Sequence, residues 1–263
     1  MSLNNLIKVA AAFIMLTATS ALAAPYAAIV VESSSGKVLH AENHDMRLHP
    51  AGLTKLMTLY TAFSAIENGE VRLDDHVLVS KNAAFEPPVK LGLREGQKIK
   101  LRYLIRAIGI KGANDASTAL GEYIAGSEDA FAKRMQVYSD ELGLTKSTWR
   151  NQHGRTASQH LSTARDIAYL FISLKRDFPD YYNLFRRLSE DAGIRQVKNS
   201  ASQLLTAIPG ITGAKYGYTR AAGFSAAVSV KRRGREVVVV VFGARSTASL
   251  VARVEQLVDL VFK

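Results

Sequence analysis

The chain has 263 residues, a formal net charge of +11, no cysteine and 48% apolar residues. That apolar share excludes an intrinsically disordered chain. The lack of cysteine excludes a disulfide scaffold, an iron–sulfur centre and a thiol nucleophile. The positive balance suits an anionic surrounding or partner without naming one.

The first residues read as an export signal. Lys8 supplies the positive charge, Val9 to Leu16 the short apolar run, and Ala21-Leu22-Ala23 a small-residue cleavage site. The run is too short for a membrane span. Cleavage after Ala23 leaves residues 24–263 as one domain that is periplasmic or otherwise extracytoplasmic, with no stable membrane anchor.

Tyr26 to Val31 and Lys37 to His40 flank Glu32-Ser33-Ser34-Ser35-Gly36, the pattern of a hairpin. Leu53 to Ile66 carries apolar residues at helical spacing, and Asn68-Gly69 ends it. Arg72 to Leu78 reads as extended, and Glu86-Pro87-Pro88 as a loop. Three helices follow: Arg102 to Ile110, Asn114 to Ile124, and Ser127 to Leu142 with Gly143 as its stop. Another opens at Ser162-Thr163 and ends near Arg176. Ala214 to Tyr218, Ala226 to Lys231 and Val237 to Phe242 read as strands. The last contains an unbroken valine run, as expected of a strand buried on both faces. Ser246 to Phe262 is a closing helix. Strands at both ends with helices between predict an α/β (α+β) fold, one sheet covered by helices.

Three stretches carry chemistry. His49-Pro50-Ala51-Gly52-Leu53-Thr54-Lys55-Leu56-Met57-Thr58 opens the first long helix. Ile110-Lys111-Gly112-Ala113-Asn114-Asp115 precedes the next but one. Gly213-Ala214-Lys215-Tyr216-Gly217-Tyr218-Thr219-Arg220 lies on a late strand. Their order and spacing resemble the D-alanyl-D-alanine carboxypeptidases, the low-molecular-mass penicillin-binding serine peptidases. That family uses S-x-x-K, S-x-N and K-T-G in this order. Lys90-Leu91-Gly92-Leu93-Arg94-Glu95-Gly96, His153-Gly154 and Phe242-Gly243-Ala244-Arg245 extend the resemblance over nearly all of residues 24–263. It implies a central, mostly antiparallel sheet and a role in peptidoglycan metabolism. By the same resemblance, Lys55 stands at the general-base position, and Asn114, Lys215, Tyr216, Gly217 and Tyr218 line the substrate groove.

The reacting atoms are missing. Gly52 holds the nucleophile position, Gly112 that of the second Ser, and Tyr216 that of the K-T-G threonine. Gap-free counting puts Leu250 where many relatives have a carboxylate-binding Arg. Glycine cannot form an acyl-enzyme, and removing the nucleophile of a serine protease costs about 10⁶-fold in kcat. Thr54 is no substitute, since its neighbouring position turns it roughly 100° from Lys55 on a helix.

The expectation is therefore a degenerate member that binds a peptidoglycan stem peptide or a cell-wall enzyme without cleaving it. Two other readings stay open: a working carboxypeptidase of low or altered activity, and a scaffold whose groove is plugged by Tyr216 and Leu250.

Some single residues have bland readings. Asn114 can cap its helix or face the cleft. Lys215, in an otherwise small or apolar strand, needs a buried partner. His153 sits in a loop, where a surface imidazole is the default. His40, His44 and His49 share no metal-binding spacing, so no metal or other cofactor is expected. Lys231-Arg232-Arg233 and Arg235 form a solvated hairpin tip, and no nucleic-acid recognition module is present.

N-terminal sequencing of the exported protein should read Ala24-Pro25. A product that still begins at Met1 overturns the signal assignment.

Overall fold

The computed structural model describes residues 24–263, so the expected signal segment lies outside the described residues. Strands β1 (Ala27–Glu32) and β2 (Val38–Glu42) form the expected N-terminal hairpin. A tight turn over Ala51–Leu53 leads into α1 (Thr54–Glu67). Short pieces follow: β3 (His76–Leu78), α2 (Lys81–Phe85) and β4 (Lys98–Lys100), the two strands pairing antiparallel. Next come α3 (Leu101–Arg106), α4 (Asn114–Ala125), α5 (Glu128–Glu141), α6 (Ala164–Asp177) and α7 (Pro179–Tyr182). A small hairpin of β5 (Ser189–Asp191) and β6 (Gln196–Lys198), then α8 (Ser202–Ala207), precede the long strands. These are β7 (Ile211–Thr219), β8 (Gly223–Arg232) and β9 (Arg235–Ala244), and α9 (Thr247–Val261) closes the chain.

The main sheet has the order β2-β1-β9-β8-β7, antiparallel throughout, as expected. Its centre is the valine run. Val238, Val240 and Phe242 face the larger core with α1 and α6, while Val237, Val239 and Val241 face a second core under α9. Period-two alternation sends successive side chains to opposite faces, and both faces are covered. Strand β1 divides likewise, with Ile29 and Val31 on one side and Val30 on the other.

Helix α1 is buried on every side from Thr54 to Ala65. A helix wrapped by protein this way cannot shift without repacking its neighbours, so its first turn is a rigid place to hold Lys55. Ser127 caps α5 by accepting from Ala130 N, and Thr163 caps α6 by accepting from Asp166 N.

The structure departs from the sequence reading in three places. Of Arg72 to Leu78, only His76–Leu78 is a strand; Arg72 to Asp75 turns, with Asp75 N donating to Arg72 O at 3.0 Å. The small elements α2, α7, α8, β5 and β6 are too short for hydrophobic periodicity to show. The helix expected over Arg102 to Ile110 is α-helical only to Arg106. It then widens into a π-turn over Ala107–Lys111, and Gly112 N bonds back to Ala107 O at 3.0 Å. Widening frees carbonyls from the regular ladder, and the carbonyls of Ile108 and Gly109 have another donor, described below.

Phe242 is fully buried on the central strand. Phe242→Ala should cost about 3–5 kcal/mol, read as a lower urea midpoint.

Candidate functional site

Four segments meet at one end of the sheet: the first turn of α1, the π-turn and start of α4, the 151–155 loop, and edge strand β7. Between them lies a cavity of about 340 Å³, bordered by Gly52, Lys55, Gly112, Asn114, Tyr216, Gly217 and Tyr218 among others. Seven of the eight expected site residues thus border one space. The eighth, Lys215, lies just behind it.

Lys55 is buried in the first turn of α1. Its Nζ donates to Asn114 Oδ1 at 2.9 Å and to the His153 carbonyl. Burial pushes its amine from 10.5 down to about 7, against the opposing pull of Glu86 and Asp115. Asn114 does not cap α4. Ala113 holds the cap position, and the Asn114 side chain ties Lys55 to Pro87 O, which accepts from Nδ2 at 3.0 Å. Its neighbour Asp115 is fully buried and accepts from the backbone N–H groups of Leu91, Gly92 and Leu93 at 2.7–3.0 Å. It clamps the loop after Pro88 beside the groove.

Lys215 is the second buried ammonium, 1% exposed. Its Nζ donates to Ile108 O at 2.5 Å and Gly109 O at 2.8 Å, the carbonyls released by the π-turn. Burial, and then the charge of Lys55, hold its amine well below the ordinary lysine range.

The glycines at the site have structural consequences. At Gly52, a Cβ would stand 2.7 Å from Tyr216 O and 2.9 Å from Gly217 Cα. At Gly217, a Cβ would stand 2.5 Å from Gly52 N. The two backbones pack directly together, which only a pair of glycines allows. At Gly112 the backbone is left-handed, φ +76°, a conformation that serine disfavours. The nearest side-chain groups to a Cβ there are Lys215 Nζ and Ser200 Oγ, each at 3.9 Å.

Three expectations are corrected. Leu250 is fully buried in the core beneath α9, so it neither plugs the groove nor marks a carboxylate site. The Tyr216 ring packs toward Phe224, centroids 6.4 Å apart. Strand alternation turns it to the face opposite Lys215, so backbone contact rather than the ring closes the nucleophile position. His153 is 6% exposed, not a surface imidazole, and its Nε2 lies between Glu86 and Glu128. The hairpin-tip basic run is also partly ion-paired, Arg232 to Asp259 and Arg235 to Glu32.

The sequence reading missed Ser200, Lys111 and Arg155, which also border the cavity. Ser200 N donates to Ile110 O at 3.0 Å. Lys111 stands inside the Ile110 to Asp115 stretch and Arg155 directly after His153-Gly154, both beside motif positions rather than at them, while Ser200 carries no sequence signal.

A family model described as D-alanyl-D-alanine carboxypeptidase matches residues 15–246. The carboxypeptidase DacF of Bacillus subtilis is 32% identical over 240 residues, 89% of this chain and 61% of that protein. DacC of Escherichia coli is 34% identical over 224 residues, 83% of this chain and 56% of that protein. The chain thus spans less than two thirds of either relative. Among solved structures, penicillin-binding protein 5 from Haemophilus influenzae superposes with a TM-score of 0.86 at 26% identity, covering 90% of this chain and 70% of that one.

Gly52→Ala should destabilise the fold by about 1–3 kcal/mol, because backbone atoms must move to admit the methyl group. Equal urea midpoints for the two proteins would show that the backbones are not in contact. Lys55 generates a second expectation. Its folded value of about 7 lies below the ordinary 10.5, so between these pH values the unfolded chain holds a proton that the folded chain has released. Stability therefore rises with pH across that window. Lys55→Met should lower that slope by about 1.4 kcal/mol per pH unit, as read from urea unfolding of both proteins across the window.

Proposed function

The chain belongs to the D-alanyl-D-alanine carboxypeptidase family, and we propose that within it this protein binds without cutting. Its ligand is the D-alanine-ended stem peptide of peptidoglycan, met outside the cytoplasm. The observation that carries this reading is the state of position 52. There is no oxygen on Gly52 to attack a carbonyl, and strand backbone stands where a side chain would begin. A seryl acyl-enzyme needs a nucleophile and a base within reach of each other. Here Lys55 survives as a buried amine of lowered pKa, and its hydrogen bonds go to Asn114 and a carbonyl.

The groove itself remains. Strand β7 is the last in the sheet, and Tyr216 to Thr219 border the cavity along it. An extended peptide can add to such an edge through backbone hydrogen bonds. Lys111 and Arg155 offer positive charge for its terminal carboxylate, and Tyr218, 52% exposed, offers an aromatic face. Among the described residues no helix is long and apolar enough to cross a membrane.

The test is intact-mass spectrometry after incubation with benzylpenicillin, paired with a D-alanine release assay and calorimetric titration of a D-Ala-D-Ala peptide. The expected result is no adduct, no released D-alanine and reversible binding, several-fold weaker in Lys111→Ala and Arg155→Ala. A stoichiometric adduct or steady D-alanine release overturns the reading. No adduct and no binding would instead favour a protein partner for this face.

A further inference from the structure

Beside the groove, three side chains converge from segments far apart in sequence. Glu86 lies just after α2, Glu128 is the first residue of α5, and His153 lies in the 151–155 loop. His153 Nε2 is 3.2 Å from Glu128 Oε2 and 3.4 Å from Glu86 Oε1. One donor atom from each residue lies within 4.8 Å of the other two. Ligands bound to zinc at 2.0–2.1 Å in a tetrahedron stand ~3.3 Å apart, the separation of the two short edges here.

A second, independent observation points to a missing ligand. Glu86 is 5% exposed, yet its Oε2 accepts no hydrogen bond. Oε1, the oxygen 3.4 Å from His153 Nε2, accepts from Thr118 Oγ1 at 2.9 Å, which orients the carboxylate as an outer-shell partner does and leaves Oε2 as the unsatisfied atom. Arg155 NH1 is 3.6 Å from Oε2, too far for a hydrogen bond, and its side chain is 55% exposed and can swing away. Gln152, next to His153 in the chain, is fully buried, and both its Oε1 and its Nε2 lack a hydrogen-bond partner. Buried polar atoms left this way are costly unless something binds them.

We propose that Glu86, Glu128 and His153 form a zinc site, with water as the fourth ligand. One imidazole with two carboxylates favours zinc over calcium or magnesium, which prefer oxygen alone. The two carboxylates balance the ion's charge. Without metal, Arg155 N–H donates to His153 Nδ1 at 3.2 Å, so the ring proton sits on Nε2 between the carboxylates. Zinc takes Nε2 and displaces its proton to Nδ1, the ring stays neutral, and the Arg155 backbone N–H gives up its bond to Nδ1. The His153 carbonyl holds Lys55, so zinc fixes one wall of the groove without touching its contents. The site shares His153 and Arg155 with the border of the groove but needs no peptide, so either reading can fail alone.

The experiment uses the tag-free chain, stripped with a chelator. It is titrated with Zn²⁺ by calorimetry and with Co²⁺ by visible absorption. The expected result is one zinc per chain, a raised thermal midpoint and the intense cobalt bands of a tetrahedral site. Glu128→Gln, at a partly exposed helix start, and His153→Gln should each weaken zinc binding by at least about tenfold. His40→Ala, which removes an imidazole paired with Glu42 elsewhere, should leave it unchanged. Circular dichroism confirms that the variants fold; if His153→Gln does not, Glu128→Gln decides alone. Absence of stoichiometric binding overturns the proposal, as does binding that persists in Glu128→Gln.

Discussion

Two lysine amines are buried at the groove, Lys55 on its border and Lys215 just behind it, and neither has a carboxylate among its hydrogen-bond partners. Lys215 fastens the edge strand to carbonyls of the π-turn, and Lys55 fastens the first helix to Asn114 and the 151–155 loop. Taking an ammonium out of water is expensive, and carbonyl and amide oxygens recover part of that cost. These few hydrogen bonds therefore specify how strand, helix and loops meet. The widened turn after α3 is one consequence, because a regular helix would have used the Ile108 and Gly109 carbonyls itself.

The glycines set the remaining geometry. With Gly52 facing Gly217, the turn before α1 and the edge strand touch through their backbones. With Gly112 left-handed, the chain enters α4 by a turn that a side chain resists. The glycines at 52 and 217 are thus part of the packing. A reversal at one position has to displace its neighbours as well as restore an oxygen.

In the proposed reading family and chemistry separate: a fold is shared widely, while activity resides in a few atoms placed on it. The sheet, the covered helix and the buried lysines follow from the scaffold. Glycine at positions 52 and 112 leaves the valine-rich core undisturbed, because the groove lies at the strand edge.

Much of the fold was legible in the sequence. Valines in an unbroken run, apolar residues at helical spacing and Ser or Thr before helix starts are local signals, and β9, α1, α5 and α6 followed from them. So did the missing hydroxyls, since glycine lacks a side-chain oxygen in any fold. The site was legible only as positions in a motif. Whether Asn114 capped a helix or gripped Lys55 depended on where the loop after Pro88 passes. Leu250 looked like a groove residue by counting, but helix phase turned it into the core. Glu86, Glu128 and His153 share no spacing, so only chain folding could bring them together. The sequence by itself determined the fold class and the absence of a side-chain oxygen at positions 52 and 112, because both depend on local pattern and residue identity. The tertiary structure alone decided the closure at Gly52, the burial of His153 and the partners of the lysines, because each depends on distances between segments far apart in the chain.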